Sequence, residues 1–472
     1  MHIDISNRHP VVGRLLLSLT AGLLLTAQAA LAQVANPSVT AVPSAKPGDS
    51  SRNYPQFATA YNIARQGYVE KEYFIEGTAT RYATPESANA TVISSGHAYK
   101  TRLLVRQPTS AKRFNGVVIV EWLNVTSGHD LDVLWLSTAE HLMRQGYAYV
   151  GVSAQAVGVH APLTGLKSWS PARYGSLDVT GAGSILDDSL SFDIYSQAIQ
   201  SVRSPRGVNP LGNLKPRTVL AVGASQSQQY LRRYHNSVEP LARLVDGYLL
   251  YLGVGGLLRT DLKPKVIKLD TETDVLLLGQ YAARQPDSGK LRGYEVAGAS
   301  HVGYSNPNPR APILERDGLP IPDYSVCTLP ALSHIPTAQV ARAALDHLTR
   351  WVSKGTPPPT AKPIEVIAGS SPVSAVRDSV GNAKGGIRLA EHEVATATNT
   401  GLNSGPGYCL LNGSHVPFDD ATLRTLYGSP GKYVHQVTHV TLRNLKAGYI
   451  TAPDAVDTIT DAVKREVAKR KR

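Results

Sequence analysis

Thr218-Val219-Leu220-Ala221-Val222 is apolar after its first residue and runs without a break into Gly223-Ala224-Ser225-Gln226-Ser227. The stretch from Gln226 to Tyr234 that follows has helical composition. A continuous apolar run of this length predicts a strand buried on both faces, as in a mainly parallel sheet. A buried strand that turns straight into a helix through Gly-x-Ser-x-Ser leaves the central serine at the tip of a very tight turn. Only small residues fit two positions to either side of it. Gly223 meets that demand, and Ser227 stands where a second glycine is usual but is still small. Ser227 is the rival nucleophile, but its own neighbour two positions on, Gln229, is too large for such a turn.

Runs of the same kind recur along the chain. Val117 to Val120, Ala148 to Val152, Leu244 to Leu252, Val266 to Leu269 and Leu291 to Val296 all predict strands. Tyr68 to Ile75 and Tyr99 to Val105 come earlier and predict an antiparallel start to the sheet. Helical stretches at Leu131 to Gln145 and Val340 to Lys354 lie between or after the strands and stop at Gly146 and Gly355. Strands alternating with helices imply βαβ units with right-handed crossovers. The fold class predicted is therefore α/β, with a mostly parallel central sheet flanked by helices. Residues 155–195, rich in Gly, Ser and Asp, interrupt the alternation and read either as a lid-like insertion or as an ordinary surface excursion.

A serine hydroxyl becomes a useful nucleophile when a histidine takes its proton and a carboxylate holds that histidine. On a sheet of this kind the order is Ser, acid, His, with the acid after a late strand and the His in a loop after the last. Val266-Ile267-Lys268-Leu269 leads into Asp270-Thr271-Glu272-Thr273-Asp274, and Tyr294-Glu295-Val296 leads into Ala297-Gly298-Ala299-Ser300-His301. Ser225, Asp274 and His301 are the catalytic candidates, with Glu272 as the alternative acid. The N–H of Gln226, at the start of the helix, is the expected oxyanion donor. A second is expected from the loop Glu121-Trp122-Leu123-Asn124-Val125-Thr126-Ser127-Gly128, at Leu123 or Asn124.

The N-terminus bears on location. Arg8 and Arg14 precede an apolar run from Leu15 to Leu25, and Ala30-Leu31-Ala32 has the small residues of a signal-peptidase site. Residues 1–32 thus read as a signal peptide cleaved near Ala32, which implies export to the periplasm or the medium. Residues 33–50 read as a flexible leader and 51–472 as a single domain. The two cysteines, Cys327 and Cys409, suit one disulfide in an oxidising compartment better than a metal site. His435 and His439 are four apart but lack a third ligand, so a strand face is the better reading and no metal is expected. No cofactor is expected either. The net charge of +12 lies partly in the terminal Lys469-Arg470-Lys471-Arg472, which reads as the end of a solvated helix. Export argues against a nucleic-acid partner, and no later stretch is apolar enough for stable membrane insertion.

Taken together, the chain resembles a family of largely uncharacterised, often exported bacterial α/β-hydrolase-domain proteins. The resemblance rests on Val120 to Gly128, Gly151 to Gln155, Arg173 to Leu177, Gly223 to Ser227, Thr271 to Val275 and Val296 to His301. It continues through Trp351-Val352, Pro357 to Pro359, Pro417-Phe418 and Leu426-Tyr427. Gln228 departs from the Gly that similar proteins often carry there. The resemblance implies the α/β-hydrolase fold, one catalytic domain, a Ser-acid-His triad and no cofactor, and it favours a Cys327–Cys409 disulfide. The expected activity is hydrolysis of a small-molecule or polymer ester through an acyl-enzyme. The alternatives are a peptidase or amidase on the same fold, or a hydrolase-fold binding protein without turnover.

Overall fold

The structure, a computed structural model, describes residues 34–304 and 307–469. Every strand predicted from an apolar or alternating run before residue 300 lies in one nine-stranded sheet, ordered β1-β2-β3-β5-β4-β6-β7-β8-β9. The strands are β1 (Ser38–Val42), β2 (Tyr68–Ala83), β3 (Thr91–Pro108), β4 (Val117–Trp122), β5 (Ala148–Val152), β6 (Thr218–Ala224), β7 (Gly247–Tyr251), β8 (Lys265–Thr271) and β9 (Leu291–Val296). From β5 to β9 each neighbour is parallel, whereas β1, β2, β3 and β5 pair antiparallel. Every residue of β4, β5, β6 and β7 is buried, because helices cover both faces. Adjacent residues of β4 show the two faces. Glu121 accepts from Leu134 N–H of the helix Val133–Gln145, while Trp122 packs on Phe192, Tyr195 and Tyr230 of the helices Ser191–Arg203 and Gln226–Arg233. The helix Thr337–Lys354 lies beside Val133–Gln145.

Two expectations need correction. The leader predicted over 33–50 contains β1, which extends the sheet by pairing Ser38–Val42 with Glu72–Glu76 of β2. Val39 is buried there, and Arg173 Nη1 binds the carbonyl of Pro43. A short β-branched segment found a ready-made sheet edge, which its low complexity hid. The segment 155–195 forms short helical turns that are packed down. Trp169, Tyr174 and Leu177 are buried, and Trp169 Nε1 donates to the carbonyl of Asp317 at 2.7 Å. The second correction concerns His435 and His439, which sit exposed on the helix Pro430–Ala447, not on a strand. The apolar positions Tyr433, Val437 and Val440 on that helix recur at helical spacing and are buried.

Among the described residues no helix is long and apolar enough to cross a membrane, and no group of three or more His, Cys, Asp or Glu is placed to hold a metal ion. The predicted signal peptide lies outside the described residues, as does the very end of the basic tail.

Charged groups buried in the antiparallel half fix its relation to the parallel half. Arg102 of β3 donates to Asp130 Oδ2 at 2.8 Å and to the carbonyl of Gln56. Arg106 pairs with Glu70 at 2.7 Å and with Asp132. Asp130 and Asp132 flank Leu131 immediately before the helix Val133–Gln145, so these ions hold the segment that follows β4. Pairing by hydrogen bonds is what makes such burial tolerable.

Glu121 is buried differently, with no cation paired to it among the described residues. It accepts from Tyr149 Oη at 2.7 Å and Leu134 N–H at 2.8 Å. Burial, with the Asp132 charge adding to it, pushes its carboxyl up to about 8. A carboxyl raised on folding contributes stability that is full below the unfolded value and is lost as pH rises through the folded one. Glu121→Gln should therefore lack a decline that wild type shows between about pH 4.5 and 8. Thermal melts at pH 5 and pH 8.5 should find the wild-type Tm dropping relative to the variant; parallel curves would refute the assignment.

Candidate active site

The turn after β6 gives Ser225 φ 59° and ψ −123°, a region that L-residues rarely occupy. Gly223 is required here, since a Cβ on it would lie 2.7 Å from the carbonyl oxygen of Ser227. Ser227, the position that departs from glycine, braces the turn: its Oγ accepts from Ala224 N–H at 3.0 Å and donates to the Ala224 carbonyl at 2.9 Å. Gln228 is buried and its Oε1 accepts from Val254 N–H, tying the helix to the loop after β7. Ser225 N–H donates back to the carbonyls of Tyr251 and Leu252.

Ser225 Oγ lies 2.7 Å from His301 Nε2, and His301 Nδ1 lies 2.6 Å from Asp274 Oδ1. Asp274 is fully buried at the end of a capping box, and its second oxygen accepts from Thr271 N–H at 2.7 Å. One oxygen is thereby anchored to the end of β8 and the other is free to face the imidazole. His301 N–H donates to Thr273 Oγ1, which in turn donates to the Gly401 carbonyl.

Glu272, the competing acid, does not face His301. Its Oε1 takes Arg377 at 2.7 Å and its Oε2 accepts from Gly298 N–H at 2.8 Å. Gly298, at φ +73°, begins the loop that carries His301, so Glu272 holds the backbone of that loop. Asp270 faces elsewhere again, accepting from Gly253 N–H, and burial pushes it up to about 7.

The expected donors are only partly available. Gln226 heads its helix with no intrahelical acceptor for its N–H, and it lines a cleft beside Ser225. Asn124 is a correction: its N–H donates to the Leu131 carbonyl at 3.1 Å and its side-chain amide to the Ala224 carbonyl at 3.0 Å. Leu123 N–H is taken by Val152. These bonds were invisible in sequence because Leu131 returns to pair with the loop only once the helix after it is in place. Within the loop, Val125 N–H has no acceptor among the described residues.

Ser225 and His301 open on a cavity of about 280 Å³ lined largely by apolar side chains, among them Leu131, Leu136, Leu252, Ile321 and Leu411. Its outer wall is built from residues 310–324 and 408–412, not from 155–195. The insertion contributes Gln155, Val157 and Asp188 to the neighbouring cleft, which also holds Gln226 and Tyr230. Cys327 and Cys409 form a disulfide, S–S 2.08 Å, joining the two wall segments just outside the cavity.

The family model described as alpha/beta hydrolase domain matches residues 40–460. The chain belongs to this family. No curated protein matches it. Among solved structures it is similar to a dienelactone hydrolase from Anabaena variabilis (14% identity, 52% of this chain and 96% of that one, TM-score 0.29) and to a glucuronoyl esterase from Solibacter usitatus (10% identity, 62% and 78%, TM-score 0.27). It is also similar to acetyl xylan esterase 1 from a Thermoanaerobacterium species (12% identity, 48% and 57%, TM-score 0.25). The chain spans about half the length of that esterase and of a Bacteroides fragilis protein it also matches (49%).

The disulfide closes a loop of 82 residues and ties the wall of the cavity. Replacing both cysteines by serine should lower the unfolding free energy by about 2–4 kcal/mol. Urea denaturation would measure that loss.

Proposed function

We propose that this hydrolase-family chain is an exported serine esterase that works through an acyl-enzyme on Ser225. The observation that carries the reading is the hydrogen-bonded line from Ser225 Oγ through His301 to Asp274, placed at the mouth of an apolar cavity. Ser225 Oγ attacks the ester carbonyl as its proton passes to His301 Nε2. Asp274 Oδ1, accepting from Nδ1–H, orients the ring and stabilises the imidazolium. The imidazolium then protonates the departing alkoxide. Water, activated by the same histidine, releases the acid and restores the serine.

Negative charge on the tetrahedral oxygen is met by backbone N–H groups at the strained turn. Gln226 N–H is one donor, and Val125 N–H replaces Asn124 as the donor from the loop after β4. A cavity of about 280 Å³ beside Ser225 has room for one acyl or aryl group of an ester. Export is supported by the signal-peptide pattern of residues 1–32 together with the Cys327–Cys409 bond.

A fluorophosphonate probe should label the native protein and fail to label Ser225→Ala; labelling that persists in the variant would refute the nucleophile. Asp274→Asn should lower kcat by about 10³–10⁴-fold with little change in KM. Glu272→Gln should reduce thermal stability while the folded enzyme keeps most of its kcat. If the two variants exchanged these behaviours, Glu272 would be the acid.

A further inference from the structure

Arg310 is the feature of the cavity that esterolysis by itself does not use. It lies in the helix Pro307–Asp317 and lines the same cavity as Ser225 and His301. Its Nη2 donates to Ser127 Oγ at 2.9 Å, its Nε is buried without an acceptor, and no carboxylate pairs with it among the described residues. Arg310 is half-buried, and the contrast with the fully buried arginines is sharp. Arg102 pairs with Asp130, Arg106 with Glu70 and Asp132, and Arg173 with Glu72. Asp132 contributes to the field at Arg310, but its carboxylate is already bound to Arg106. Burial pulls the Arg310 guanidinium below its ordinary value, with Tyr324, Asp132 and Tyr408 opposing the shift.

An arginine held in an apolar cavity without a counter-ion is costly unless something that visits the cavity supplies the charge. The planar fork of a guanidinium matches a carboxylate, and Ser127 Oγ already fixes one arm of the fork. We infer that Arg310 receives a carboxylate of the substrate, so that the ester opened by Ser225 carries an anionic group on one side of its scissile bond. This inference rests on the esterase reading of Ser225. A net charge of +12 on the chain would also draw such anions toward the protein.

The test uses two series of chromogenic esters. In one, the carboxylate is on the acyl side: 4-nitrophenyl hemisuccinate, hemiglutarate and hemiadipate, each against its neutral primary-amide analogue. In the other it is on the leaving group: the acetates of 3- and 4-hydroxybenzoate against those of the corresponding benzamides. Wild type should prefer the anionic member of at least one pair by tenfold or more in kcat/KM. That ratio should fall to near one in Arg310→Gln and persist in part in Arg310→Lys; a ratio taken within one variant cancels any general loss of activity. No preference in wild type, or a preference that survives Arg310→Gln, would overturn the inference. Calorimetric titration of glutarate, adipate and 4-hydroxybenzoate into Ser225→Ala, with and without Arg310→Gln, separates the two readings. Arg310-dependent binding without turnover by the native protein would leave the anion site standing and remove the esterase. Turnover of neutral esters with no Arg310-dependent preference or binding would do the reverse.

Discussion

The strained backbone of Ser225 is the constraint around which the rest of the site is arranged. A non-glycine residue at φ 59° and ψ −123° costs about 1–3 kcal/mol and survives only where its surroundings over-determine it. Four devices do so here. Ser225 N–H is held by the carbonyls after β7, Ser227 clamps Ala224 at both ends, Gly223 lets the helix approach, and Gln228 reaches across to Val254. Because β6 lies between β4 and β7 in a sheet buried on both faces, the turn cannot relax without disturbing two parallel ladders. The asymmetry follows from the fold. The side chain that projects from the strained turn is fixed in place, and its partners must come to it.

Those partners arrive by way of a short acidic stretch whose members are easily confused in sequence. Asp270, Glu272 and Asp274 alternate at the end of β8, yet each faces a different neighbour. Asp270 turns to the loop at Gly253, Glu272 to Arg377 and the His301 loop backbone, and Asp274 to the imidazole itself. The capping box decides among them. Once Thr271 becomes an N-cap, the third residue after it must return a side-chain oxygen to Thr271 N–H, which aims its other oxygen at His301. The Thr-x-x-Asp spacing is present in the sequence, so the contact of Asp274 with His301 has a local source. The use of Glu272 has none, because Arg377 is more than a hundred residues away.

The same division runs through the whole chain. Strands buried on both faces and the tight turn at Ser225 are local patterns, and they were readable because burial and turn geometry act on neighbouring residues. What escaped depends on contacts distant in sequence. Residues 38–42 became a strand because β2 offered an edge. Asn124 lost its N–H to Leu131, a residue held in place by the ion pairs of Arg102 and Arg106. The helix Pro430–Ala447 was obscured by its β-branched residues, whose helical spacing shows only once Tyr433, Val437 and Val440 are seen on one buried face.

The cavity wall carries this logic to its end. Ser225, Asp274 and His301 are set by the parallel sheet, whereas part of the cavity wall comes from residues 310–324 and 408–412, which follow the sheet's last strand and are tied by Cys327–Cys409. The sheet must keep its geometry to preserve the turn at Ser225, and that requirement does not extend to the wall. A wall that is cross-linked yet separate can change its side chains without disturbing the strained serine. Arg310 is the charged side chain of that wall, set among apolar neighbours with Ser127 as its hydrogen-bond partner.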